Sequence, residues 1–232
     1  EQLRANLLRS ISHDLRTPLT AISGNASNLL SNGKLFDAQT KEQMYTDIYD
    51  DAMWLINLVE NLLSVSRLEE GRMNLHMSTE LMDEVIAEAL RHINRKSADY
   101  HLIVREPDEY ILVQIDVRLI VQVLINIIDN AIKYTPVGSD IRIEWKKQGD
   151  FVLVSIADNG PGISAEAKPH IFEMFYSASA KIADSRRSMG LGLALCKSIV
   201  NAHGGEISVA DQIPHGTIFT FSIPSGEVEL HE

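Results

Sequence analysis

The segment SHDLRTPLT, residues 12–20, places a histidine beside an aspartate. Imidazole is close to half neutral at physiological pH, and one ring nitrogen can attack phosphorus if the other gives up its proton. Asp14 is adjacent to His13 and is a candidate for the base that accepts this proton. Thr17 lies on the same helical face as His13, where its hydroxyl can orient a water against a phosphohistidine or bond its own helix backbone.

Pro18 follows this group directly and predicts a kink in the helix. Proline cannot donate a hydrogen bond to the carbonyl four residues back, and its ring clashes there. In a heptad pattern whose seam contains Leu8, Ile11 and Leu15, His13 takes an outward position. A solitary exposed histidine more often has no catalytic role, but these neighbours favour a nucleophile.

A second set of polar side chains lies on the predicted helix 117–134. Gln122, Asn126, Asn130 and Lys133 fall on one face, beside a wide apolar stripe. Asparagine is a weak helix former, so two of them on one face are unusual for a simple solvent-facing stripe. Carboxamide oxygens are ligands that Mg²⁺ accepts, and a lysine suits phosphate, so this face predicts a metal and phosphate site.

The predicted strand 151–157 runs into the turn DNGPG, which begins at Asp158. Gly160 and Gly162 permit a tight turn and a close approach of backbone to a ligand. A carboxylate at the end of a buried strand only accepts hydrogen bonds, so Asp158 would pair with the exocyclic amine of adenine and repel the guanine carbonyl. The simpler alternative is an Asx-turn that caps its own loop, which this turn alone would favour.

Two glycines, Gly190 and Gly192, stand at the start of the predicted helix 191–203. Glycines at a helix N-terminus expose backbone N–H donors and the positive end of the helix dipole to phosphate. Neither a P-loop nor a GxGxxG after a strand is present, so the two commonest nucleotide-binding motifs are excluded.

The loop that precedes these glycines, YSASAKIADSRRSM, is small and polar and carries three bases. Its length and the side chains of Lys181, Arg186 and Arg187 suit a lid that closes over phosphates. An ordinary surface loop is the alternative.

These groups require two kinds of scaffold, the first of which is a helical hairpin over residues 1–69. Asn32-Gly33 is predicted to end one helix and Asp37 to cap the next. Apolar residues repeat in heptads along both helices, and one hairpin leaves a seam facing water. Pairing two hairpins into a homodimeric four-helix bundle would bury that seam. The alternative is a hairpin that folds back on its own C-terminal domain.

After a predicted linker at residues 70–80, the sequence pattern of residues 81–232 predicts short strands alternating with helices. Strands are predicted at 101–105, 110–115, 140–146, 151–157, 206–210 and 217–223, and helices at 81–96, 117–134 and 191–203. Adjacent strand pairs with helices between them predict an α+β domain with a mixed or antiparallel sheet and helices on one face.

Composition limits the partners of the chain. The 232 residues carry a formal net charge of -11 and are 45% hydrophobic, which predicts a globular protein that binds neither nucleic acid nor an anionic membrane broadly. The single cysteine, Cys196, excludes an internal disulfide and is expected to be buried and unreactive. No apolar run reaches the roughly 18 to 20 residues that span a bilayer.

Five segments in one order resemble the motifs of sensor histidine kinases in two-component systems. They are SHDLRTPLTAISG for the H-box, NIIDNAIKYTP for the N-box, DNGPGI for G1, IFEMFY for the F-box and GLGLAL for G2. This resemblance covers essentially the whole chain. The stretch SRRSMGLGLALCKSIVNAHGG is most similar to KdpD-type potassium-responsive sensors. Two positions depart from the pattern: Ser177 follows the F-box aromatics where arginine is common, and Ser188 replaces the first G2 glycine.

The resemblance implies a dimerisation and phosphotransfer hairpin (HisKA) followed by a Bergerat-type α/β-sandwich domain that binds ATP and Mg²⁺ (HATPase_c). His13 would be the phosphoacceptor, and Thr17 would support phosphatase activity. By the family's motifs, Asn130 would bind Mg²⁺ with Asn126 beside it, and Asp158 would bind the adenine amine. Arg187 or Arg186 would contact the γ-phosphate. The remaining residues implied to line the nucleotide are Lys133, Tyr134, Gly160, Gly162, Gly190 and Gly192.

The combined interpretation is the catalytic part of a membrane sensor, with the chain on the cytoplasmic side and the sensor region N-terminal to it. It would autophosphorylate His13 from Mg-ATP and pass the phosphoryl group to an aspartate of a response regulator. A non-catalytic nucleotide-binding scaffold is the alternative from another class. An ATPase of the gyrase and chaperone superfamily would leave the H-box unexplained.

Overall fold

The chain divides into two compact units, Glu1–Ser66 and Arg67–Glu232. A computed structural model describes residues 2–69, 75–93, 99–174, 176 and 190–227. Side chains within helices are not described at residues 2–14, 57 and 64–69.

The first unit consists of two long helices, α1 (Gln2–Asn32) and α2 (Ala38–Glu69). Helix α1 ends before Gly33, where a Cβ atom would lie 2.3 Å from a backbone oxygen of the last turn. Asp37 caps α2, because its Oδ1 accepts a hydrogen bond from the backbone N–H of Thr40 over 2.7 Å. The predicted pair of helices and the Asp37 cap are therefore confirmed.

The described residues of the second unit form three helices and seven strands. In chain order the elements are β1 (Ser78–Leu81), α3 (Met82–Arg91), β2 (His101–Arg105), β3 (Leu112–Ile115), α4 (Val117–Tyr134), β4 (Asp140–Gln148), β5 (Phe151–Asp158), α5 (Gly192–Ala202), β6 (Ile207–Asp211) and β7 (Thr217–Pro224). Five strands form one sheet in the order β2-β4-β5-β7-β6, in which only β2 and β4 run parallel. The predicted mixed sheet is confirmed.

Two differences from the predicted elements concern the start of this unit. Strand β1 pairs antiparallel with β3 and occupies the end of the stretch 70–80 that was expected to be linker. Its sequence, STEL, is short and polar, so it lacks the apolar alternation that identifies a strand. Helix α3 ends at Arg91, earlier than the predicted 96, and residues 94–98 lie outside the described part of the chain.

The core lies on one face of the five-stranded sheet. Alternate residues of β4, β5 and β7 are buried, which is the period of two expected of a sheet with one covered face. Helix α4 contacts β4 and β5, and α5 contacts β6 and β7. The sheet and these helices therefore enclose one apolar layer, and any polar side chain on the inner face is held where water is scarce.

Candidate nucleotide site

Asp158 lies at the end of β5 with its side chain on the buried face of the sheet. Val152, Val154 and Ile156 point to the helices, and the period of two carries Asp158 to the same side. The residue is only 8% exposed. A carboxylate is thus placed at the rim of the apolar layer by the register of its own strand.

Two backbone donors hold this carboxylate. Oδ1 of Asp158 accepts from the N–H of Gly160 over 2.9 Å and from the N–H of Thr217 over 3.3 Å. Burial raises the pKa of Asp158, and these two hydrogen bonds lower it in part. Since both bonds reach Oδ1, within the described residues Oδ2 remains an acceptor for an amine of a ligand. The Asx-turn considered as the alternative is therefore present, and it uses only Oδ1 of Asp158.

Gly160 is required by the space around it. A Cβ atom there would lie 2.5 Å from Cγ2 of Thr135 and 2.9 Å from Oδ1 of Asp158. Gly162 has φ of +78°, a conformation that side chains rarely adopt. The turn after β5 therefore approaches the C-terminal end of α4 as closely as glycine allows.

Helix α4 carries the second group of predicted site residues. Asn126, Asn130 and Lys133 are partly buried on its polar face, and Tyr134 is exposed at its end. Nζ of Lys133 lies 5.3 Å from the centre of the Tyr134 ring, within the range of a cation–π contact. Burial raises the pKa of Asp129, on the same side of the helix, to about 6.

Asn126 meets the start of α5. The nearest described atoms to a Cβ built on Gly192 are Cγ and Oδ1 of Asn126, both at 3.7 Å. Nδ2 of Asn126 is buried and has no hydrogen-bond partner within the described residues. A carboxamide can rotate to exchange its oxygen and nitrogen, so Asn126 offers a ligand either atom. Asn126 and Asn130 lie one helical turn apart and fit a hard cation through their oxygens.

The glycine turn before α5 is also in place. Gly190 has φ of +65°, and α5 begins at Gly192 without a side-chain cap. Among the residues that the structure describes, the N-cap position therefore supplies no side-chain acceptor to the first N–H groups of α5, which suits an anion at this end of the helix.

Several predicted residues lie outside the described part of the chain. The backbone of His13 and Asp14 belongs to α1, but their side chains are not described, and neither are Lys181, Arg186 and Arg187. Thr17 is partly buried in α1. Cys196 is buried, which confirms the expected position of its side chain, and burial raises the pKa of its thiol to about 12.

Three residues around Asp158 were missed from the sequence. Gly216 has φ of +121°, and a Cβ there would lie 1.9 Å from the carbonyl oxygen of Asp158. The next residue, Thr217, donates to the same aspartate. Nδ1 of His215 lies 3.3 Å from the carbonyl oxygen of Gly160 and donates to it. In the sequence, only the position of Gly216 directly before the predicted strand 217–223 indicated a special backbone. The pairing of that strand with β5 was needed to connect it with Asp158.

The chain matches the models of two protein families. "His Kinase A (phospho-acceptor) domain" matches residues 3–71, and "Histidine kinase-, DNA gyrase B-, and HSP90-like ATPase" matches residues 115–227. The chain is 46% identical over 224 residues to "Sensor protein KdpD" of Clostridium acetobutylicum, which covers 97% of this chain and 25% of that relative. The chain therefore spans about a quarter of the length of this curated relative.

Two solved structures are similar over nearly the whole chain. Acinetobacter baumannii histidine kinase AdeS has a TM-score of 0.67 and 27% identity, covering 93% of this chain and 98% of that one. Histidine kinase ThkA in complex with response regulator protein TrrA has a TM-score of 0.68 and 26% identity, covering 95% of this chain and 61% of that one. The motifs, the fold and these relatives agree: the chain belongs to the sensor histidine kinases of two-component systems and is KdpD-like.

Proposed function

We propose that the chain transfers the γ-phosphoryl group of ATP to His13 and then to an aspartate of a response-regulator receiver domain. The observation that supports this most strongly is the pairing, in one chain, of a phosphoacceptor-type helical unit with a unit that holds both the buried Asp158 and the contact of Asn126 with Gly192. A scaffold would need only the second of these.

In the proposed reaction the free ring nitrogen of His13 attacks the γ-phosphorus. The bond from that phosphorus to the bridging oxygen breaks, and ADP leaves with the electron pair. The proton on the other ring nitrogen passes to Asp14, whose contribution to the rate is typically ~10² to 10⁴. In the second step a carboxylate oxygen of the receiver domain attacks the phosphorus, the nitrogen–phosphorus bond breaks, and the imidazole recovers its electron pair and proton.

The nucleotide unit orients ATP in this proposal. Oδ2 of Asp158 accepts a hydrogen bond from the adenine amine, and the N–H groups at the start of α5 bind phosphate oxygens. The oxygen of Asn130 would hold Mg²⁺, with Asn126 beside it, and the metal would supply positive charge to neutralise the phosphates. Lys133 adds positive charge on the same face.

The hairpin unit fits a homodimer. An apolar stripe along α2 remains exposed in the single chain, formed by Tyr45, Tyr49, Met53, Ile56, Val59 and Leu63. We call it the α2 stripe. A second copy would bury it against the same stripe, as in a dimeric four-helix bundle. Thr17 would orient a water that hydrolyses the phosphoryl group in the reverse, phosphatase direction.

A membrane sensor is the proposed setting of the whole protein. No helix among the described residues is long and apolar enough to cross a membrane. The curated relative named as a sensor is about four times as long as the matched region. We infer a sensing region encoded beyond the printed sequence, with the present chain on the cytoplasmic side.

The test is incubation of the chain with γ-labelled ATP and Mg²⁺. Label on the wild type that is acid-labile, alkali-stable and lost in His13→Gln supports the proposal. His101→Gln is the matched control, since it makes the same change at an exposed histidine of the other unit and should keep the label. ATP binding without label would favour the scaffold, and ATP hydrolysis without label would favour the ATPase.

A further inference from the structure

A buried pair of side chains joins the beginning of α4 to the end of α5. Asp116 caps α4 and is 4% exposed, and His203 follows α5 and is 3% exposed. The backbone N–H of Asp116 donates to Nε2 of His203 over 3.0 Å. Neither residue belongs to the site described above.

The partners of His203 show which of its ring nitrogens donates and which accepts. Nδ1 lies 2.8 Å from the carbonyl oxygen of Ile199, which can only accept, so Nδ1 carries a hydrogen. Nε2 faces an N–H and must therefore be the bare, accepting nitrogen. His203 thus makes one accepting and one donating contact, which connect Asp116 to the last turn of α5.

Helices α4 and α5 meet at three points whose order shows that they run antiparallel. At the first, the N–H of Asp116 reaches His203. In the middle, Sγ of Cys196 donates to the carbonyl oxygen of Val123 over 3.8 Å. At the third, Gly192 lies against Asn126. Residue numbers rise along α4 while they fall along α5, so the Asp116–His203 contact lies at one end of α5 and the Gly192–Asn126 contact at the other.

That register decides where the two halves of the nucleotide site stand. Asn126 belongs to α4 and Gly192 to α5, and the distance along α5 from His203 to Gly192 is about 16 Å. Since an α-helix is stiff over this length, displacement at the His203 end moves the glycine turn relative to the asparagines. At 3.0 Å, the Asp116–His203 bond is shorter than the 3.8 Å contact between Cys196 and Val123.

The side chain of Asp116 connects the same point to the chain that enters the unit. Its Oδ1 accepts from the N–H of Leu119 over 3.3 Å, and its Oδ2 accepts from the N–H of His76 over 3.1 Å. His76 lies just before β1, in the part of the chain that follows the hairpin in sequence. Asp116 therefore ties together the incoming chain, α4 and α5.

We propose that Asp116 and His203 are positioning residues that set the register of α4 against α5 and thereby the separation of the Asn126 face from the Gly192 turn. This inference rests on the proposed nucleotide site. If the inference holds, Asp116 and His203 control ATP affinity although they lie outside the nucleotide site. Because His76 is bonded to Asp116, a displacement of the chain just before β1 would also be passed to the nucleotide site.

Two amide substitutions at one position separate the two roles of His203. In His203→Asn the side chain can still donate to Ile199 but is too short to accept from Asp116. In His203→Gln the Oε1 atom can accept from Asp116, and the bond to Ile199 is lost. A buried N–H without an acceptor is costly, so we expect His203→Asn to weaken ATP binding about tenfold and His203→Gln to stay within about threefold of the wild type.

The measurement is the Kd of ATP with Mg²⁺ for the full chain, by calorimetry at a temperature where every variant is folded. In the proteins without nucleotide, the amide resonance of Gly192 should shift in His203→Asn and return in His203→Gln. Val152→Ala removes buried volume from β5 at a residue that takes no part in the Asp116–His203 contact, and is the stability control. Its ATP affinity should equal that of the wild type.

The outcomes separate this inference from the proposed function. A wild-type chain that fails to bind ATP contradicts the proposed function itself. A wild type that binds, with His203→Asn equal to it in Kd and in the Gly192 resonance, overturns the positioning role. Equal weakening in His203→Asn and Val152→Ala would also overturn it, because affinity would then follow stability alone.

Discussion

The backbone N–H of Thr217 lies 3.3 Å from Oδ1 of Asp158, across the pair of strands β7 and β5. The two residues face each other in the register of the sheet although 59 positions separate them in sequence. Because Thr217 and Gly160 both use Oδ1, the orientation of the carboxylate is fixed before any ligand arrives. The candidate adenine acceptor is thus a product of strand pairing as well as of its own turn.

Asp158→Asn should separate ligand recognition from folding. The Asn oxygen can still accept from Gly160 and Thr217, which leaves an NH₂ group where the adenine amine is expected. Two donors would then face each other, so we expect ATP affinity to fall about 100-fold. Calorimetric titration with ATP measures this, and retention of wild-type affinity would exclude Asp158 as the adenine acceptor.

The pH dependence of the same residue follows from its pKa, which burial raises. As pH falls through this raised value the carboxylate takes up a proton, so ATP affinity should decline on the acidic side. The contribution of Asp158 to stability changes in the opposite sense: because folding favours its protonated form, this contribution rises as pH falls through the raised pKa. Asp158→Asn should therefore be the more stable protein at pH 7, with a difference that shrinks in acid. Urea unfolding at several pH values tests this, and a constant difference would contradict it.

Gly216→Ala should damage both folding and the site. Its Cβ would meet the backbone of Asp158 at 1.9 Å, so two strands must move apart at the carboxylate. Gly204→Ala is the matched control, because Gly204 also has a positive φ but nothing lies within 4 Å of its added Cβ. We expect Gly204→Ala to cost about 1 kcal/mol of unfolding free energy and Gly216→Ala about 3 kcal/mol or more. If the two variants lose equal unfolding free energy in denaturant titrations, the positive φ accounts for the whole cost and the contact with Asp158 for none of it.

The sequence predicted local elements well and long-range contacts poorly. Helix α4 was bounded correctly at residues 117–134, because its apolar stripe has the period of a helix and Asp116 is a strong cap. Strand β1 was missed, since its four residues are identified only by their pairing with β3. Asp158 could be found from its turn, but Thr217 could not, as their contact depends on the order of strands in the sheet.

Asn130→Ala should remove the dependence of nucleotide binding on magnesium. If its oxygen is a metal ligand, wild-type affinity for ATP should fall when Mg²⁺ is removed with a chelator, while the variant should bind weakly in both conditions. Gln114→Ala alters a carboxamide on β3, outside the candidate site, and should behave like the wild type. Calorimetry with and without Mg²⁺ provides the comparison, and a variant that keeps its magnesium dependence would exclude Asn130 as a ligand.

Ile56→Glu should dissociate the proposed homodimer. Ile56 is 49% exposed in the middle of the α2 stripe, and a symmetric interface would contain two copies of it, so one substitution buries two charges. We expect the dimer to weaken at least ~100-fold, as measured by sedimentation equilibrium. Asp47→Ala lies nine residues earlier, about two and a half turns away on the opposite side of α2, and should leave the dimer intact. If both variants sediment like the wild type, the α2 stripe is not the interface, and the hairpin would have to cover it within one chain.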